Sequence, residues 1–114
     1  MNRFIAVVAF SIITCGCATV TQTPALSINP PSAKGETWSI SGKSNSGPIS
    51  DTITLYVNGV QVASGEMDPV HHKDIHISGD YEHHIVIGVC SIEDAGNDRC
   101  VISVDAYQVG VLTF

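Results

Sequence analysis

From about Glu36 to Phe114, polar and apolar residues alternate in short runs. Thr37-Trp38-Ser39-Ile40-Ser41 does so, and Asp51-Thr52-Ile53-Thr54-Leu55-Tyr56-Val57 puts Ile53, Leu55 and Val57 on one face. A period of two is the signature of a half-buried strand. Asn58-Gly59 follows directly, and this pair tolerates the positive φ that a tight hairpin demands. Val60 to Ala63 should therefore return antiparallel. Further strands are predicted near 75–78, 84–90, 100–105 and 107–113. Beyond the first segment, no stretch repeats apolar residues at helical spacing over three turns. The pattern predicts an all-β domain, a small antiparallel sandwich or partly open barrel of about six or seven short strands.

The segment Leu55 to Val62 resembles Ile102 to Val109, with Asn58-Gly59 matched to Asp105-Ala106. Two related hairpins would suit a pseudo-symmetric sandwich or barrel. Ahead of the strands, Ala18 to about Gly35 is rich in Thr, Pro and Ser, with Pro24, Pro30 and Pro31. It has neither period and reads as an extended tether.

The chain opens with Met1-Asn2-Arg3, an apolar run from Phe4 to Ile13, and Thr14-Cys15-Gly16-Cys17. A positive start, an apolar run and a small-residue exit make a secretory signal. The run is too short for a membrane-spanning helix, which needs roughly 20 residues. The exit resembles the lipobox of bacterial lipoproteins, in which a peptidase cuts before a cysteine carrying a diacylglyceryl thioether. That resemblance covers only residues 1 to about 18. Gly16 precedes Cys17, whereas the bulkier Thr14 precedes Cys15, so Cys17 is the expected lipid acceptor. The implied division is 1–16 signal peptide, 17–35 lipidated cysteine and tether, and 36–114 β domain. Ala18 resembles the residue that permits outer-membrane sorting, where many inner-membrane lipoproteins have Asp.

Cleavage before Cys17 removes Cys15 and leaves Cys90 and Cys100 as a pair. In an oxidising compartment they should form a disulfide. A domain this small benefits from such a staple. The formal charge is −6, and loss of Arg3 with the leader makes the remainder more acidic. Nucleic acid and anionic lipid are poor partners for it, since phosphate contact requires clustered Lys and Arg. The lipid must therefore supply the membrane attachment.

All five histidines lie between positions 71 and 84, interleaved with Asp68, Asp74, Asp80 and Glu82. Imidazoles and carboxylates ligate Zn²⁺, Ni²⁺ and Cu²⁺. A turn at Gly79-Asp80, the better turn chemistry, sets His76 opposite His83 with Asp74 diagonally adjacent. Those three residues then form a surface metal site. A turn at Glu82-His83 instead faces His76 with Val89, Ile77 with Gly88 and Tyr81 with His84, and scatters the imidazoles. The loop between the two later cysteines carries Glu93, Asp94, Asn97 and Asp98. It lacks the order of a calcium-binding EF-hand and reads as a solvated tip that a disulfide would pre-organise for partner contact. Phe114 reads as a plug at the edge of the core.

No nucleophile elbow, zinc-protease helix, phosphate loop or dinucleotide fingerprint is present. The expectation is a non-enzymatic, lipid-anchored outer-membrane protein. Its domain binds another envelope protein as an accessory or assembly factor. Two alternatives fit the same residues: a Zn-, Cu- or Ni-binding lipoprotein, or an exclusion factor that blocks a receptor. No cofactor is expected beyond that metal.

Overall fold

A computed structural model of the chain describes residues 19–47, 49–67, 74–92 and 97–114. Among these residues the fold is all-β, with nine strands in two antiparallel sheets. The first sheet contains β1 (Thr19–Gln22), β2 (Leu26–Ile28), β3 (Trp38–Ser46), β4 (Asp51–Val57) and β5 (Val60–Met67). The second contains β6 (Ile75–Tyr81), β7 (His84–Ile92), β8 (Asp98–Val104) and β9 (Tyr107–Thr113), paired in chain order. The sheets stack as a sandwich that is not a closed barrel. Strand alternation turns Ile53, Leu55 and Val57 of β4 and Cys100, Ile102 and Val104 of β8 into one shared core with Trp38, Ile40, Met67 and Val86. Phe114 packs against that core as expected, close enough to Gly42 that a Cβ there would clash with its ring.

From Thr19 on, the segment expected to be a tether over 18–35 is instead part of the sandwich. β1 and β2 run along one edge of β3, with Thr19 opposite Ser46 and Leu26 opposite Ile40. They are one edge strand broken at Pro24. Proline is tolerated there because an edge strand has a side that donates to no neighbour. Thr23 carries the ladder across the break: its N–H donates to the Gly42 carbonyl and its Oγ1 accepts from the Gly42 N–H, both at 2.9 Å. Pro30 and Ala33 of the following loop are buried. Proline and threonine content resembled a linker, whereas the edge position makes both residues compatible with a strand.

The faint repeat is structural. Two-residue turns at Asn58-Gly59 and Asp105-Ala106 have positive φ at both positions, and each is followed by a bulge at the matching place, beside Leu55/Tyr56 and Ile102/Ser103. The correspondence extends to the preceding strands. The row Gly42, Leu55, Ala63 in the first sheet matches Gly88, Ile102, Gly110 in the second. The row Ser44, Ile53, Gly65 matches Cys90, Cys100, Leu112. Cys90 and Cys100 are bonded directly across β7 and β8, with Cα atoms 4.0 Å apart, and both are fully buried.

Candidate functional site

The third hairpin turns at Glu82-His83, with φ of 49° and 70°. Its register places His76 opposite Val89 and Tyr81 opposite His84. The proposed site of His76, His83 and Asp74 is therefore not assembled. His83 lies in the turn beyond Tyr81, and His76 is five residues back along β6 from Tyr81, about 16 Å at ~3.3 Å per residue. Gly79 is a glycine for another reason. The adjoining edges of β5 and β6 approach so closely that a Cβ there would overlap the Val62 carbonyl oxygen. Among the described residues, no group of three His, Cys, Asp or Glu side chains could hold a metal ion. His71, His72, Glu93, Asp94 and Cys17 lie outside the described residues.

Asp98 is also not where the sequence reading set it. It is 5 % exposed, in the core rather than on a solvated tip. The Ser44 hydroxyl donates to its Oδ2 at 2.8 Å, tying β3 to β8, and Oδ1 has no partner among the described residues. Burial raises its pKa above the usual carboxylate value; the Ser44 bond opposes this and the nearby Asp51 charge adds to it. Of the two described residues of that set, Asn97 is exposed and Asp98 is not.

The hairpin end of the sandwich holds a polar cluster. In each sheet the first turn residue reaches back to the neighbouring strand. The Asn58 N–H donates to the Ser39 carbonyl at 2.7 Å, and Asn58 Oδ1 accepts from the Ser39 N–H at 2.9 Å. Asp105 and Ile85 repeat both bonds at 2.8 and 2.9 Å. Each turn residue also crosses between sheets. Asn58 Nδ2 donates to the Tyr81 hydroxyl at 3.0 Å, and Asp105 Oδ2 accepts from Ser32 Oγ at 2.5 Å. His84 Nδ1 lies 2.6 Å from that same Oδ2. The Ser32, His84 and Ile85 bonds hold the Asp105 carboxyl at a pKa of about 2. Trp38 packs edge-on against Tyr81 and His84, with centroids 5.0 and 5.5 Å away.

Ser32, His84 and Asp105 are not arranged as a catalytic relay. A relay needs the serine on the ring nitrogen remote from the carboxylate. Here serine and histidine converge on one carboxylate oxygen, which is a clamp between sheets.

The outer faces of the two sheets differ more than any other matched regions. On the first, the outward positions are Ser39, Ser41 and Lys43 of β3, Thr54 and Tyr56 of β4, and Ser64 and Glu66 of β5. On the second, the inward positions of β7 are Val86, Gly88 and Cys90, so Ile85, Ile87 and Val89 face out. Val89 lies opposite Val101, and Val101 opposite Val111. Ile85 is 52 % exposed, and the other four are partly exposed. Beyond Val111, a groove of about 260 Å³ opens where β9 meets the broken edge strand, lined by Pro24, Ala25 and Leu26 among others. The β6 side of the face carries exposed Asp74, His76 and Asp80, with Glu82 and His83 at its turn. An aliphatic centre with a polar rim is the anatomy of a protein-binding surface. Reading for ligands and turns missed it. Its signal was the unbroken apolar run Ile85-Val86-Ile87, which marks a strand covered on both faces.

No protein-family profile, curated protein or solved structure matches the chain.

Proposed function

We propose that this is an envelope lipoprotein, anchored through Cys17 at the outer membrane. Its β-sandwich is a non-enzymatic binding or accessory module for another envelope protein. The observation that carries the reading is the aliphatic outer face of the second sheet, Ile85, Ile87, Val89, Val101 and Val111. A solvated sheet face should alternate with polar residues, as the first sheet does. The partner chemistry that fits is an apolar strand or sheet surface flanked by basic side chains, because Asp74, Asp80 and Glu82 border the face.

A photo-crosslinking residue at Val89, compared with one at Lys43 in the matching place on the other sheet, tests the reading in cells. A discrete adduct is expected from 89 alone. The identified partner should then bind the purified protein, and Ile87→Ser should weaken that binding at least tenfold, the equivalent of about 1.4 kcal/mol. Equal labelling from both positions, or unchanged affinity in the variant, would remove the face from the proposal.

A further inference from the structure

The register of the first strand fixes which end of the sandwich meets the membrane. This inference rests on lipidation of Cys17 and adds an orientation to it. Thr19 pairs with Ser46 and is already inside the sheet. Cys17 is two residues upstream, and two residues span at most about 7 Å. The lipid therefore enters at the end of the domain where β3 finishes and β4 begins. β5, β7 and β9 also finish there. The Ser44–Asp98 bond joins the two sheets at that end. The turns at 58–59, 82–83 and 105–106 all lie at the other end, tied across the sheets by Asn58–Tyr81 and Ser32–Asp105.

Two exposed aliphatic side chains stand beside the entry point. Ile49, between β3 and β4, is 81 % exposed, the most of any large apolar residue described. Val20, opposite Asn45 in the next row, is 57 % exposed. An isolated isoleucine cannot recruit an acidic protein to a bilayer. With acyl chains inserted from a cysteine held within about 7 Å of Thr19, the encounter becomes intramolecular and a weak apolar contact suffices to orient the domain.

We infer that Ile49, between β3 and β4, docks on the phospholipid surface, so that the sandwich stands on the membrane with its hairpin end outward. Trp38, at the start of β3, is then about 26 Å further from the lipid than Ser46, at ~3.3 Å per residue. The aliphatic face of the second sheet runs upright between the two ends, where a neighbouring envelope protein can reach it.

Trp38 is the only tryptophan and is buried, so wild type gives the background signal. The processed full chain is reconstituted in phosphatidylethanolamine–phosphatidylglycerol vesicles carrying nitroxide-labelled lipid, as wild type, as Ile49→Trp and as Val60→Trp, the last at a residue exposed at the hairpin end. Above that background, the tryptophan at 49 should be quenched several-fold more strongly than the one at 60. Equal quenching at both positions, or none at position 49 on vesicles that carry the protein, overturns the orientation alone. The mass of the N-terminal peptide separates the two claims: a peptide without acyl mass on Cys17 overturns the anchor and the orientation together.

Discussion

The rung Lys43, Thr54, Ser64 of the first sheet occupies the same ladder positions as Val89, Val101, Val111 of the second. Ser39 and Ser41 likewise match Ile85 and Ile87. Inside, the row at Leu55 keeps its kind: Gly42 and Gly88 each admit side chains from the opposing sheet, and Leu55 matches Ile102. One backbone frame thus serves two purposes. The inward positions answer to packing, which both sheets share. The outward positions answer only to what lies outside, and they diverge from hydroxyl and charge to aliphatic.

The largest expected effect breaks the match at Gly79, whose ladder counterpart across from Ile40 is Leu26. A leucine fits there because Gly110 makes room for it, whereas Gly79 lies against the backbone of β5. Gly79→Ala should destabilise by about 3 kcal/mol, the upper range for overpacking, and denaturant unfolding would measure it. Next is the staple that only the second sheet has. Replacing Cys90 and Cys100 together by alanine should cost about 2–3 kcal/mol, read as a lower thermal midpoint. Thiol counting on unreduced protein should find neither cysteine free.

A smaller change should make the two bulged hairpins more alike. Ala106 holds φ at 74° where Gly59 holds 81°. A side chain pays about 1 kcal/mol for this left-handed backbone, so Ala106→Gly should stabilise by about 0.5–1 kcal/mol. The smallest effect separates the two ends of the second sheet by pH. Asp98 has a raised pKa, so acidification through the window above its ordinary value should stabilise the fold. Asp105 is held at about 2, so its contribution persists down to about pH 4 and is lost between about pH 4 and 2. Stability should peak at mildly acidic pH. Asp98→Asn should remove the rise, and Asp105→Asn should blunt the fall.

Strands β3 to β5 and β7 to β9 were legible because apolar residues at every second position leave no other economical burial. Asn58-Gly59 was legible from turn chemistry. The same reasoning failed at Gly79-Asp80, because a glycine can serve a turn or a close approach and the sequence does not say which. It failed at Pro24 because an edge strand tolerates what a central strand excludes. Asp98 looked like a loop acid because its burial depends on Ser44, 54 positions away. The aliphatic outer face left only the short apolar run Ile85-Val86-Ile87 as a signal, and it takes pairing of Val89 with Val101 and of Val101 with Val111 to turn that run into a surface.

The order of strand pairing has a kinetic consequence. Within each sheet, strands pair with near neighbours in sequence, and the sheets divide the chain into an earlier and a later half. Each half can settle its ladders before the other is present, and the disulfide closes wholly within the later half. Short-range closure favours rapid folding for a β protein. The contacts between sheets, among them Ser44 with Asp98, Asn58 with Tyr81 and Ser32 with Asp105, must wait for both halves. A chain threaded through a membrane from its N-terminus would meet those requirements in the order in which it emerges.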